Sequence, residues 1–254
     1  MNNKIENIIT FSLTGAAAYI TTDIIHEVLG HSFITLILGH KITLLSSVYF
    51  RSNPGSLITD IAGPVCNLLS ASLLLFILKR KNDLALLSRL LLFLIMSYNF
   101  FWFSGTLLQS GLSSSGDWTY TMQRYNLGIF GTILLITLSI IAFYLSIGFC
   151  REQIKEINFN FSIFPLRQFI RYSYIGATVS AAIAGLFFAP DRLLAAREGL
   201  YEMLASIPII FIASKDKSII NDYKIKSRPA AFNVIVILLF ILFCFTLGRG
   251  FMSY

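Results

Sequence analysis

Seven apolar runs, most of them close to the length of a bilayer crossing, follow one another along this 254-residue chain and constrain its fold more than any other feature. They cover about 7–39, 57–78, 84–109, 126–149, 169–189, 199–214 and 230–248. A helical crossing takes about 20 apolar residues, so most of these runs suffice. The composition is 56% hydrophobic and only 13% charged, and mean hydropathy is +0.72. Soluble domains run nearer one quarter charged. The expected fold is an all-α polytopic membrane protein with 6–7 transmembrane helices, in one integral-membrane domain over 1–254. The membrane lipid bilayer is therefore its first partner.

The first run is long for one crossing: 33 residues of helix reach about 50 Å against a hydrocarbon core of about 30 Å. It is expected to tilt, protrude, or break near Thr21-Thr22-Asp23 or Gly30. The sixth run is short and carries Glu202. Residues 41–51 are rich in strand formers and lie between Gly39 and Asn53-Pro54-Gly55, which predicts a short surface strand or hairpin after the first helix.

The net charge is +7, yet the basic residues fall between apolar runs and form no single patch, so no nucleic acid is expected as partner. With alternating crossings, thirteen Lys and Arg lie on the amino-terminal side and six on the other, while Arg89 falls within the third run. The positive-inside bias then predicts a cell-membrane protein with a cytoplasmic amino terminus. Its three cysteines, at 66, 150 and 244, form no paired framework. No phosphate-cradling glycine loop is present.

Within the first run stands His26-Glu27-Val28-Leu29-Gly30-His31. An ionisable side chain at the bilayer centre costs about 2.5–3.5 kcal/mol on insertion scales, so such a cluster marks a site by default. Two imidazoles and a carboxylate are what a zinc hydrolase needs, as two metal ligands and a general base. The usual spacing is four residues; here it is five. On a regular helix, positions i and i+5 lie about 140° apart, and the rings would splay. A π-bulge returns them to one face, and Gly30 makes that adjustment easy.

HEVLGH resembles the six-residue motif of the dipeptidyl peptidase III family, soluble zinc peptidases in which both histidines bind metal and the glutamate serves catalysis. A broader resemblance, over about 15–120, is to the site-2 protease family of intramembrane zinc metalloproteases. His26, Glu27 and His31 match that family's first element with one residue added. The stretch from His31 into 41–51 is similar to its surface strand, and Ala62-Gly63-Pro64-Val65-Cys66-Asn67 to its Gly-Pro-x-x-Asn pattern. The family's Leu-Asp-Gly is missing; Gly116-Asp117-Trp118 stands at a comparable place.

The resemblance implies a zinc endopeptidase core over about 7–125, with additional helices over 126–254. Zn²⁺ is then held by His26, His31 and Asp117, with Glu27 as general base and a membrane-protein substrate. Asp23, Asp60, His40 and Glu202 compete with Asp117 as third ligand. Asp23, three residues before His26, is better placed to orient an imidazole, since i and i+3 share a face. Asn67 is expected to position substrate. The alternatives are a non-proteolytic metal-binding or transport protein built on the same cluster, and a homologue that has lost hydrolysis.

Overall fold

The computed structural model describes residues 3–81, 83–113, 115–160, 164–212 and 229–253. The protein is a helical polytopic membrane protein carrying a small antiparallel sheet. The chain opens with α1 (Asn3–Asp23), passes without interruption through a π-helical segment (Ile24–Ser32), and ends that rod in α2 (Phe33–Ile37). The expected break in the first run does not occur; the helix changes its winding instead. A hairpin of β1 (Lys41–Leu45) and β2 (Phe50–Asn53) follows. Ser46 closes its turn by accepting from the backbone N–H groups of Val48 and Tyr49.

Beyond the hairpin run α3 (Leu57–Arg80), α4 (Leu86–Leu112), the short α5 (Thr119–Arg124) and α6 (Gly128–Asn160). Then come α7 (Leu166–Leu186), α8 (Arg192–Leu204), α9 (Pro208–Ile212) and α10 (Pro229–Phe243). A second π-helical stretch (Cys244–Gly248) leads to β3 (Phe251–Met252), which pairs with β1 and gives the order β2-β1-β3. The hairpin is where the sequence places it, but β3 carries too few residues to announce itself.

Among the described residues five helices are long and apolar enough to cross a membrane: Lys4–Ile37, α3, α4, the α6 stretch Gly128–Asn158, and Ala230–Gly248. The fifth predicted run is a helix of 21 residues, α7, which is less apolar because its buried face carries small and polar residues such as Ser173, Ala177 and Ser180. Small residues let it approach α1 and α8 closely. A Cβ on Gly176 would meet the Ser12 carbonyl oxygen, one on Gly15 the Ser173 carbonyl oxygen, and one on Gly185 the backbone of Ala195. Such contacts hold helices together where lipid removes the hydrophobic incentive. The sixth predicted run is not one helix. It descends as α8 and α9, divided by a turn over 205–207, and starts earlier than 199.

Successive passes alternate in direction. Asn233 bonds Thr10 and Phe243 meets Tyr19, so α10 runs with α1; Gly248 beyond α10 lies against Ala184 near the end of α7, so α7 runs the same way. The Tyr174 hydroxyl donates to the Met203 carbonyl and Gly199 faces Ala181, so α8 returns alongside α7. Tyr19, Phe93, Met96, Phe101 and Phe169 fill the centre. Ile129, Phe130, Ile140, Val234 and Leu238 face outward, as lipid-facing positions do. Arg89 at the foot of α4 is buried but compensated: it donates to Glu156 (2.9 Å) and to the Lys81 carbonyl (2.6 Å).

Candidate metal centre

The π-helical segment covers all six residues of HEVLGH. Its wider turn brings positions five apart onto one face, and the two imidazoles converge: Nε2 of His31 lies 3.1 Å from Nε2 of His26. Gly30 contributes by closeness to α3, since a Cβ there would sit 2.5 Å from the Gly63 Cα. His26, Glu27 and His31 are buried, and their ligating atoms all lie within 4.8 Å of one another.

Asp117 arrives from the loop between α4 and α5. Gly116 turns that loop at a φ of +110°, a conformation that favours glycine. Trp118 then pins it to α4: its backbone N–H donates to Ser110 Oγ and its indole N–H to Thr106 Oγ1. The carboxylate comes to 3.2 Å from Nε2 of His26 and 3.6 Å from Nε2 of His31. With the imidazoles protonated, burial works to raise its pKa, but the charge of His26 and the interactions of both rings outweigh burial and hold it below the usual carboxylate range.

Each ring is anchored through its other nitrogen. His31 Nδ1 lies 2.7 Å from the Thr59 carbonyl oxygen, which can only accept. The neutral ring is therefore protonated at Nδ1, and its Nε2 lone pair faces the cluster. The side-chain amide of Asn67 lies 3.1 Å from His26 Nδ1, and Asn67 Oδ1 is buried without a partner. A carboxamide turned by half a revolution has nearly the same shape, and then Oδ1 accepts the Nδ1 proton of His26. In that state both Nε2 lone pairs point at one locus. Partners of this kind fix the tautomer and orientation of metal-binding histidines.

Two expected roles shift accordingly. Asp23 orients neither imidazole: both its oxygens lack a hydrogen-bond partner, and Thr59 and Asn67 do that work instead. Asn67, expected to position substrate, is fully buried with its side-chain amide against the His26 ring. Among the described residues the group of close ligating atoms is His26, Glu27 and His31; Asp60, His40, Glu202 and Asp117 lie outside it, and of these four Asp117 forms ion pairs with the two imidazoles.

The sequence reading missed three contributors. Gly63 gives the rings room, since a Cβ there would collide with His31 Nε2 and lie 2.8 Å from His26 Nε2. Phe50 of β2 stacks on the His31 ring at 4.9 Å, and Trp102 stands edge-on to His26 at 6.0 Å. Only Gly63 left a sequence signal, as the glycine beside Pro64. Searches of protein-family models, curated proteins and solved structures find no match to this chain.

Proposed function

We propose that the chain is an intramembrane zinc-dependent peptidase of the site-2 protease kind, cleaving a peptide bond in or near a transmembrane segment. The observation that carries the reading is the convergence of both Nε2 atoms and the Asp117 carboxylate. Two nitrogens bound at 2.0–2.1 Å in a tetrahedron stand about 3.3 Å apart, close to the separation seen here. In the tautomer with both Nδ1 atoms protonated, two Nε2 lone pairs face each other at 3.1 Å, an arrangement that a bound cation relieves.

His26, His31 and Asp117 would hold the ion, which supplies Lewis acidity that makes a water proton labile near neutral pH. Glu27 is buried beside the imidazoles with Oε2 unpartnered. It is therefore free to accept that proton and return it to the departing amine. Asp117 offsets the positive charge that gathers on the imidazoles. The substrate segment must be unwound, because a helix shields its own carbonyls. The hairpin strand β2, which stands beside His31 through Phe50, offers a free edge for such a segment to pair with.

The Lys and Arg distribution supports a cell-membrane protein with a cytoplasmic amino terminus. His26 then lies about 33 Å up the helix from Lys4, at the outer end of the crossing.

Glu27→Gln tests the reading. Purified protein should keep its zinc content and lose cleavage of a transmembrane peptide by about 10²–10⁴-fold, the usual worth of a general base. His31→Ala should lose the zinc as well. Zinc retained in His31→Ala, or unchanged cleavage in Glu27→Gln, would overturn it.

A further inference from the structure

On the far side of α4 from α1, a groove of about 340 Å³ runs along α6. Helices α3 and α6 each pack against α4, and the groove lies between them. Phe100, Phe103 and Leu107 of α4 form its floor, and Leu68 of α3 stands on one bank. The other bank is a stripe of α6: Leu135, Leu138, Ala142, Leu145 and Phe149 recur at the three- and four-residue steps of one helical face. From Leu135 to Phe149 that bank is about 21 Å long. Trp118 joins the wall, its indole held by Thr106 and its ring edge-on to Phe103 at 6.4 Å.

Shape and chemistry narrow the occupant. Among the described lining residues none is charged, and the hydroxyl of Ser146 already donates to the Ala142 carbonyl. Nothing there calls for water or a polar head group, and apolar cavities stay dry and take apolar guests. The space is slender: a helix about 10 Å across would need several times that volume over the same length. A single polymethylene chain fits. Leu138, Ile141 and Leu145 on the α6 bank are each close to half exposed, so the groove is continuous with the surface that α6 turns to lipid. Its walls also adjoin the candidate metal centre in sequence: Leu68 follows Asn67, Phe103 follows Trp102 and Trp118 follows Asp117. An occupant therefore touches the residue that pins the Asp117 loop to α4.

We propose that this groove is a binding site for one acyl chain of a bilayer lipid, lying lengthwise along α6 against Trp118. The inference goes beyond the peptidase reading and does not depend on it.

Trp118 reports the occupant, because bromine on a lipid chain quenches indole emission at close contact. Trp102→Phe leaves Trp118 as the one tryptophan of the protein. This full-length protein, purified in detergent, is titrated with a phosphatidylcholine brominated along its acyl chains. Quenching should saturate near one lipid per protein, and the same lipid without bromine should reverse it. Adding Ala142→Phe, which fills the middle of the α6 bank, should cut the quenching at least fivefold with helical content unchanged by circular dichroism. Quenching that never saturates, that survives Ala142→Phe undiminished, or that an apolar transmembrane peptide relieves better than unbrominated lipid overturns the site. If Ala142→Phe does not fold, saturation and reversal on the open groove still decide. The emission is read without zinc or turnover, so failure to cleave peptides would remove the peptidase reading while leaving this result legible.

Discussion

At Gly63 the site has room for a hydrogen and nothing larger, because a methyl group would strike His31 Nε2 and crowd His26. Gly63→Ala should therefore abolish stoichiometric zinc binding while leaving the helical content unchanged by circular dichroism. Gly55→Ala, where a Cβ meets open space, should bind zinc normally. Asn67→Leu removes the group that holds the His26 ring and should weaken zinc binding about 10–100-fold, the usual cost of losing such a partner. Competition against a chromophoric chelator measures both. At this scale the sequence was readable wherever a polar side chain interrupts an apolar run, as at His26, Glu27 and His31. It was silent about Thr59, whose contribution is a backbone carbonyl, and a carbonyl has no residue signature. Asp23 and Asn67 were recognisable as unusual, but only the fold shows which of them touches an imidazole.

Among the elements, the π-helical segment was legible because five-residue spacing cannot otherwise place two rings on one face. The long helices were legible for a simpler reason, since lipid demands apolar surface in quantity. Where a helix is shielded by its neighbours that demand lapses, and α7 shows the result: a less apolar sequence with small residues at its contacts. Helix α7 stands against α1 with a Gly176 Cβ excluded by Ser12, so Gly176→Leu should force the pair apart. Overpacking of this kind costs about 1–3 kcal/mol, to be read as a lower unfolding temperature in detergent.

Over the whole molecule, the alternation of passes puts the candidate metal centre, the hairpin, the Asp117 loop and β3 at the end opposite Lys4. With a cytoplasmic amino terminus, that end faces outward. In a chain with its native cysteines replaced by serine, Ser115→Cys should react with an impermeant maleimide added to intact cells, and Lys81→Cys only after lysis. The reverse pattern would invert the orientation. The basic residues predict the orientation, and the position of the site along the first helix depended on that helix continuing unbroken through its wide turn.

One threonine links two of these features. Thr59 closes the capping box that starts α3 with Ser56, its hydroxyl lies 3.4 Å from Ser52 Oγ of β2, and its carbonyl grips His31. A guest strand settling along β2 would tug on the same residue that aims the imidazole. On the proposed function, occupancy at the rim would reach the His31 ring through two hydroxyls and one carbonyl, a lever only a few bonds long.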